Sequence, residues 1–343
     1  MKQRIRKLCM GVSLLLSLCL AGCGMFSPLD GGAVKEADST SLESDGLIVV
    51  GFAQIGSESV WRTANTASIQ KALSKENGYF LLYKNARQKQ ENQIKAIREF
   101  ISQRVDYIVF SPASETGWEN VLQEAKTAGI PVILVDRKVD VSDESLYTSW
   151  IGSDMQEEGR KAGLWLEEEQ RLSNPEEKEL NIVVLKGTEG ATATIGRTKG
   201  FHEIADKHPN WKILEETSAD FTTAKGEEVM EKMLKKYPKI DVVISQNDDM
   251  TFGAIHAIEN AGKTVGVDGD IKMVSFDATK AGLILTWDGQ INLNIECNPY
   301  QGEYVQKIIR DMENGFYVLK QNYVEESVFT QDNVADALQK RTY

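Results

Sequence analysis

Residues 107–137 read YIVFSPASETGWENVLQEAKTAGIPVILVDR, and this stretch decides the fold. Residues 107–111 and 132–136 are short apolar runs rich in β-branched and aromatic side chains. Residues 118–128 between them read as a helix. A strand, a helix and a strand in so short a span form a βαβ unit, whose two strands lie parallel. Toward the N-terminus the same rhythm gives a strand at 47–53 (LIVVGFA), a helical stretch through about residue 77, a strand at 80–83 and a helix at 90–103. Toward the C-terminus it predicts helices at 157–170, 196–208, 225–237 and 250–261, with strands at 181–186, 212–216, 242–246 and 272–276. A return strand near 292–297 and a helix at 300–313 follow. Short apolar strands alternating with helices mean a parallel sheet covered on both faces. Two such arrays of similar length predict an α/β protein of two Rossmann-like, doubly wound lobes.

The ends of the chain read differently. Lys2, Arg4, Arg6 and Lys7 precede an apolar run at 8–20 that is too short for a permanent membrane span. Leu20-Ala21-Gly22-Cys23 follows and resembles the lipobox of bacterial lipoproteins. That resemblance implies a signal peptide over 1–22, cleavage before Cys23 and acylation of its thiol, which would hold the protein at the outer face of the cell membrane. An ordinary secretory signal or an uncleaved anchor would also account for the run. Residues 24–46 are rich in Gly, Ser, Asp and Glu, so 23–46 reads as a lipidated, disordered tether.

Composition narrows the function. The chain has 343 residues and a net charge of −12, and losing the four basic residues of the signal leaves about −16. Such a surface repels phosphate backbones, so nucleic acid is not expected as a partner. The cysteines are Cys9, Cys19, Cys23 and Cys297, which leaves Cys297 without a disulfide partner after processing. No Cys or His cluster has metal-ligand spacing, and no cofactor is expected. His202, His208 and His256 read as ordinary surface residues.

In open parallel sheets, ligands bind beyond the carboxyl ends of the strands. Those ends here carry Glu58, Trp61 and Arg62, then Asp136-Arg137, then Arg197, Asn247, Asp277 and Glu296. Carboxylates, amides and guanidinium forks suit sugar hydroxyls, and an indole suits the apolar face of a sugar ring. Taken singly, Asp or Asn after a strand is equally a helix cap, and Trp118 suits a core position. There is no phosphate loop, no Gly-x-Ser-x-Gly elbow and no histidine placed to serve a nucleophile. Arginines beside the aspartates are expected to depress carboxylate pKa values, the opposite of what a glycosidase acid needs.

The segments GFAQIGSESVWR (51–62), QKQENQIKAI (88–97), SPASETGWE (111–119), PVILVDR (131–137), QNDDM (246–250) with GAI (253–255), and SFDAT (275–279) together resemble the solute-binding proteins of sugar ABC transporters. The likeness is to the ribose and galactose type, and most of all to the galactofuranose-binding members. It implies a periplasmic binding protein type I fold, with two lobes joined by three crossovers and the sugar between them. The crossovers would lie near 152–154, 296–299 and 323–327. The N-terminal lobe would then comprise 47–152 plus about 298–325, and the C-terminal lobe 153–297 plus about 326–343. The resemblance implies that Asp136 and Arg137 grip hydroxyls, with Arg197, Asn247 and Asp277 as partners from the second lobe. Glu58, Trp61 and Arg62 occupy the first binding loop, and Gln88 and Lys89 the cleft edge. At Glu296 a slip of one residue leaves the equivalent position open between Glu296 and Cys297.

The expected function is a monomeric, lipid-anchored, non-enzymatic sugar-binding protein. It would deliver a galactofuranose-like or related monosaccharide to the permease subunits of an ABC importer by hinge closure. A sugar-sensing co-receptor for a chemoreceptor or sensor kinase is the alternative, and a carbohydrate-active enzyme a more distant one.

Overall fold

The computed structural model describes residues 46–173 and 178–343. The signal peptide read over 1–22, the acylation site Cys23 and all but the last residue of the tether lie outside the described residues. In the first half the chain forms β1 (Ile48–Gln54), α1 (Val60–Ala72), β2 (Tyr79–Asn85), α2 (Gln90–Ser102), β3 (Tyr107–Phe110), α3 (Glu119–Thr127), β4 (Val132–Val135) and β5 (Ser149–Gly152). It continues through α4 (Met155–Ser173), β6 (Leu180–Lys186), α5 (Thr192–Ala205), β7 (Trp211–Ser218), α6 (Thr223–Lys236), β8 (Val242–Ser245), α7 (Asp248–Asn260), β9 (Lys272–Asp277), α8 (Lys280–Trp287) and β10 (Leu293–Glu296). The last elements are α9 (Gly302–Glu313), β11 (Gln321–Tyr323), β12 (Val328–Phe329) and α10 (Ala335–Lys340).

These strands make two six-stranded sheets, ordered β2-β1-β3-β4-β5-β11 and β7-β6-β8-β9-β10-β12. The two orders are the same sequence of positions, so β1 corresponds to β6, β3 to β8 and β4 to β9. All pairings are parallel except β10 with β12. The central strands of each sheet are buried on both faces, and β1 shows how the sequence achieves this. Val49 and Ala53 pack with Phe100 of α2 and Trp118, while Val50 and Phe52 pack with Ile69 of α1 and Ile309 of α9. Alternate side chains of a strand point to opposite faces, so an apolar run serves two cores. Gly51 interrupts the run because Phe100 lies against it; a Cβ there would sit 2.4 Å from the ring.

The chain passes from the first sheet to the second between β5 and α4, returns between β10 and α9, and crosses again between β11 and β12. Trp118 belongs to the core: it is fully buried against Phe110 and donates its indole N–H to the Ser114 carbonyl at 2.7 Å.

Several elements depart from the sequence reading. α1 stops at Ala72, and residues 75–77 form a separate 3-10 turn. β5, α8, β11, β12 and α10 carry no clear sequence signal. β5 is only Ser-Trp-Ile-Gly, β11 is three polar or exposed residues, and α8 is apolar on most of its faces. His202 and His208 are half-buried beside Glu216 and Glu167, at 3.0 and 2.9 Å, while His256 is exposed with its Nδ1 2.6 Å from Glu227 Oε1.

Asp248 anchors the second lobe. It is fully buried in the first turn of α7 and accepts from Ser275 Oγ (2.6 Å), Thr279 N and Oγ1 (2.7 Å each) and Asn294 Nδ2 (2.8 Å). Removing it strands four donors in the core, at about 1–3 kcal/mol for each one left unsatisfied. Asp248→Ala is therefore expected to lower stability by at least about 3 kcal/mol in urea unfolding. A midpoint unchanged from that of the parent would refute this role.

Candidate functional site

The first lobe supplies its half of the site from the start of α1 and the end of β4. Ser59 caps α1, its Oγ accepting from the Arg62 amide at 3.0 Å. Starting the helix there puts Trp61 and Arg62 in its first turn. Arg62 is 4% exposed, and its guanidinium donates to Asp136 Oδ2 (2.7 Å), Glu58 Oε1 (2.9 Å) and Ser111 Oγ (3.3 Å). Burial works against its charge, yet Asp136 and Glu58 together hold its pKa above the ordinary value. Asp136 follows β4 with φ of 63°, a left-handed conformation that Asp adopts more readily than most residues. The next residue, Arg137, donates Nη1 to the Ala113 carbonyl at 2.8 Å. Burial first, and then the nearby Arg62, bring the Arg137 pKa down to about 10.

The second lobe repeats the arrangement at the corresponding positions. Arg197 lies on α5, the counterpart of α1, and Asp277 ends β9, the counterpart of β4. Arg197 Nη2 lies 3.4 Å from Asp277 Oδ1, its Nε donates to Glu158 Oε2 at 2.6 Å, and its Nη1 donates to the Gln246 carbonyl. Asp277 also has a left-handed backbone, with φ of 94°. Asn247 is both cap and site residue. Its Oδ1 accepts from Met250 N at the start of α7 (2.9 Å), and its Nδ2 donates to the Phe221 carbonyl (3.2 Å). Phe221, with φ of 59°, lays its ring over Gly187, where a Cβ would sit 1.8 Å from the ring.

These two halves line one cavity. Eight of the ten residues expected from sequence border it: Glu58, Trp61, Arg62, Asp136, Arg137, Arg197, Asn247 and Asp277. Two do not. Lys89 is placed at the N-terminal cap of α2 with its side chain 64% exposed, nearest Glu91 at 3.9 Å. Gln88 is exposed as well. Glu296 is turned away to Arg341 (2.6 Å) and the Ser327 amide (2.9 Å). The next residue, Cys297, lines the cavity instead, as the alternation of extended chain requires. Ser59, Met155, Ala193 and Phe221 line it too and were not singled out from sequence. Apolar or small residues in loops and first helical turns give no chemical signal; only the resemblance of the flanking motifs could have located them.

The lobes meet around the cavity. Glu115 N donates to the Gly190 carbonyl (3.1 Å), Lys138 N to Thr192 Oγ1 (2.8 Å), and Trp61 Nε1 to the Cys297 carbonyl (2.6 Å). Among the described residues three buried acceptors have no donor: Glu58 Oε2 in the cavity wall, Asp249 Oδ2 and Glu158 Oε1. The donors are guanidinium, amide and indole N–H groups and the acceptors are carboxylates, a set that recognises hydroxyls. The expectation that each arginine depresses its neighbouring carboxylate fails at Asp277. Burial outweighs Arg197 there and pushes the Asp277 pKa well above the usual range.

The architecture and this cleft agree with known proteins. A family model described as the periplasmic binding protein domain matches residues 50–315. The chain belongs to the periplasmic binding protein family. A relative in this family, the galactofuranose-binding protein YtfQ of Escherichia coli (strain K12), is 40% identical over 315 residues, covering 90% of this chain and 96% of that one. A Mycobacterium smegmatis structure in complex with beta-D-fucofuranose superposes with a TM-score of 0.81 at 46% identity, covering 85% of this chain and 94% of that one. The arabinose ABC transporter component of Shewanella sp. ANA-3, bound to alpha and beta-L-arabinofuranose, gives 0.80 at 42% identity, covering 85% and 95%. These periplasmic binding proteins bind solutes and are not enzymes, and this chain is a binding protein with them.

Asp249 gives this binding protein a testable acid-side profile. Its carboxyl faces the Val60 amide at the start of α1, and burial, then Asp248, push its pKa from 3.8 to about 6. A carboxyl with a raised folded-state pKa binds more protons folded than unfolded, so its contribution to stability falls as pH rises between those two values. The melting temperature of Asp249→Asn, relative to that of the parent, is expected to rise with pH between 3.8 and about 6. Parallel profiles for the two proteins would refute it.

Proposed function

We propose that this chain is the lipid-anchored sugar-binding component of an ABC importer, taking a monosaccharide in its furanose form between the lobes. The observation that carries the reading is the duplicated Arg–Asp pair. Arg62 with Asp136, and Arg197 with Asp277, come from corresponding positions of the two lobes and border one cavity. A cavity bordered by both pairs can be completed only when the lobes close, so a ligand touching both favours the closed form over the open one. Trp61 and Phe221 offer apolar ring faces beside these polar groups. The furanose preference is supported by the sugars held by the similar proteins. In this reading the closed lobes hand the sugar to the permease, and acylated Cys23 keeps the protein within reach of it.

A calorimetric screen over D-galactose, L-arabinose, D-fucose, D-fructose and D-ribose tests the ligand, with binding expected for at least one sugar that populates a furanose. Asp136→Ala and Arg197→Ala are each expected to weaken that binding about 10- to 150-fold, the loss of one charge-assisted hydrogen bond. Undiminished affinity in both variants would remove the cleft assignment. For the anchor, Cys23→Ser is expected to abolish incorporation of labelled palmitate into the protein. Label retained in the variant would exclude acylation at that thiol.

A further inference from the structure

All three crossovers between the lobes converge on one buried cluster behind the cavity. Ser153 of the first crossover donates to Glu326 Oε1 of the third, and its Oγ lies 3.3 Å from Cys297 Sγ of the second. The amide of Asn298, also on the second crossover, donates to the same Glu326 oxygen at 2.8 Å. One carboxyl oxygen therefore stitches three chain segments together. Opposite it stands Glu158, in the first turn of α4, and a carboxyl oxygen of Glu158, the Cys297 Sγ and a carboxyl oxygen of Glu326 lie within 4.8 Å of one another.

Glu158 is fully buried and engaged on one side only. Its Oε2 accepts from Arg197 Nε at 2.6 Å, while Oε1 is sealed from solvent with no hydrogen-bond partner. The close packing of α4 on α5 keeps it there: a Cβ on Gly159 would meet the Arg197 carbonyl at 2.1 Å, and one on Gly200 the Gln156 carbonyl at 1.9 Å. Two bare carboxylates facing each other in so dry a place would repel, and Oε1 would remain unsatisfied. A single proton held between them removes both difficulties, because a protonated Glu326 becomes the donor that Glu158 lacks.

We propose that Glu158 is a positioning residue for Arg197, and that it shares one proton with Glu326 across the hinge, so that losing this proton loosens the cleft's grip on its ligand. The inference rests on the sugar-binding reading for its last clause only. Burial, and then Glu158, push the Glu326 pKa up to about 9, and burial raises that of Glu158 despite Arg197. The other charged or titratable groups around the pair are Lys161 on α4, Arg197 on α5, Asp277 at the end of β9 and Cys297, whose thiol burial keeps protonated. Since a carboxyl with a raised folded-state pKa binds more protons folded than unfolded, stability declines as pH rises toward about 9.

Three measurements on the full chain test the proposal, the first two without ligand. The melting temperature of the parent is expected to fall between about pH 7 and pH 10 more steeply than that of Glu326→Gln, whose amide keeps a donor toward Glu158 and an acceptor toward Ser153 and Asn298. Infrared difference spectra over the same range are expected to show a protonated-carboxyl band in the parent that Glu326→Gln lacks. The third is D-galactose binding by calorimetry, or binding of the strongest sugar of the screen if that is another. Its affinity is expected to drop at least about tenfold in the parent across this range and less than about threefold in Glu326→Gln. Glu158→Gln should weaken binding at both ends of the range, with the same flattened profile. Parallel stability profiles and no lost carboxyl band would overturn the shared proton. A band lost as expected, with no sugar bound at any pH, would instead overturn the sugar-binding reading and leave the proton in place.

Discussion

The site depends on keeping two buried arginines charged. Arg62 and Arg197 are each nearly sealed from water, and an unpaired guanidinium in that position would cost several kcal/mol. Each is held by two carboxylates and by an oxygen from a neighbouring strand end: Glu58, Asp136 and Ser111 Oγ for one, Glu158, Asp277 and the Gln246 carbonyl for the other. The strand ends, the left-handed turns at Asp136 and Asp277, and the close contact of α4 with α5 are all arranged around these charges. Pairing satisfies the arginines without neutralising the cavity wall, which leaves N–H groups and carboxylate oxygens facing the space where a polyol fits.

Much of this was legible in the sequence. The alternation of apolar strands with helices predicted two doubly wound lobes, and the matched sheet orders confirm that architecture. The cavity residues were legible because parallel sheets present their carboxyl ends on one side, so the residues just after successive strands gather in one place. Lys89 escaped that logic because it follows no strand end but caps α2, where its side chain is exposed beside Glu91. Glu296 and Cys297 could not be separated because strand phase is invisible within a short run, and only the pairing of β10 with β9 sets which residue faces the cavity.

Other features were not legible for physical reasons. β5 and β11 are short and partly polar, so they form only because a neighbouring strand offers its free edge. Phe221 gives no chemical signal as a lone aromatic after a strand; its place in the site depends on a left-handed backbone and on the missing side chain at Gly187. The Asp277 electrostatics were misjudged because sequence shows which charges are neighbours but not how dry the pocket is.

The repeated clamp is not chemically symmetric. In the first lobe, Glu58 sits just before the helix that carries Arg62, so that arginine is oriented by its own lobe alone. In the second, Glu158 stands in the first turn after a crossover, so the orientation of Arg197 is tied to the hinge itself. A ligand would therefore meet one rigid, ready half and one half whose geometry is finished by closure. Changes to the second half would then act on how long a ligand is retained through the hinge as well as through the contact itself.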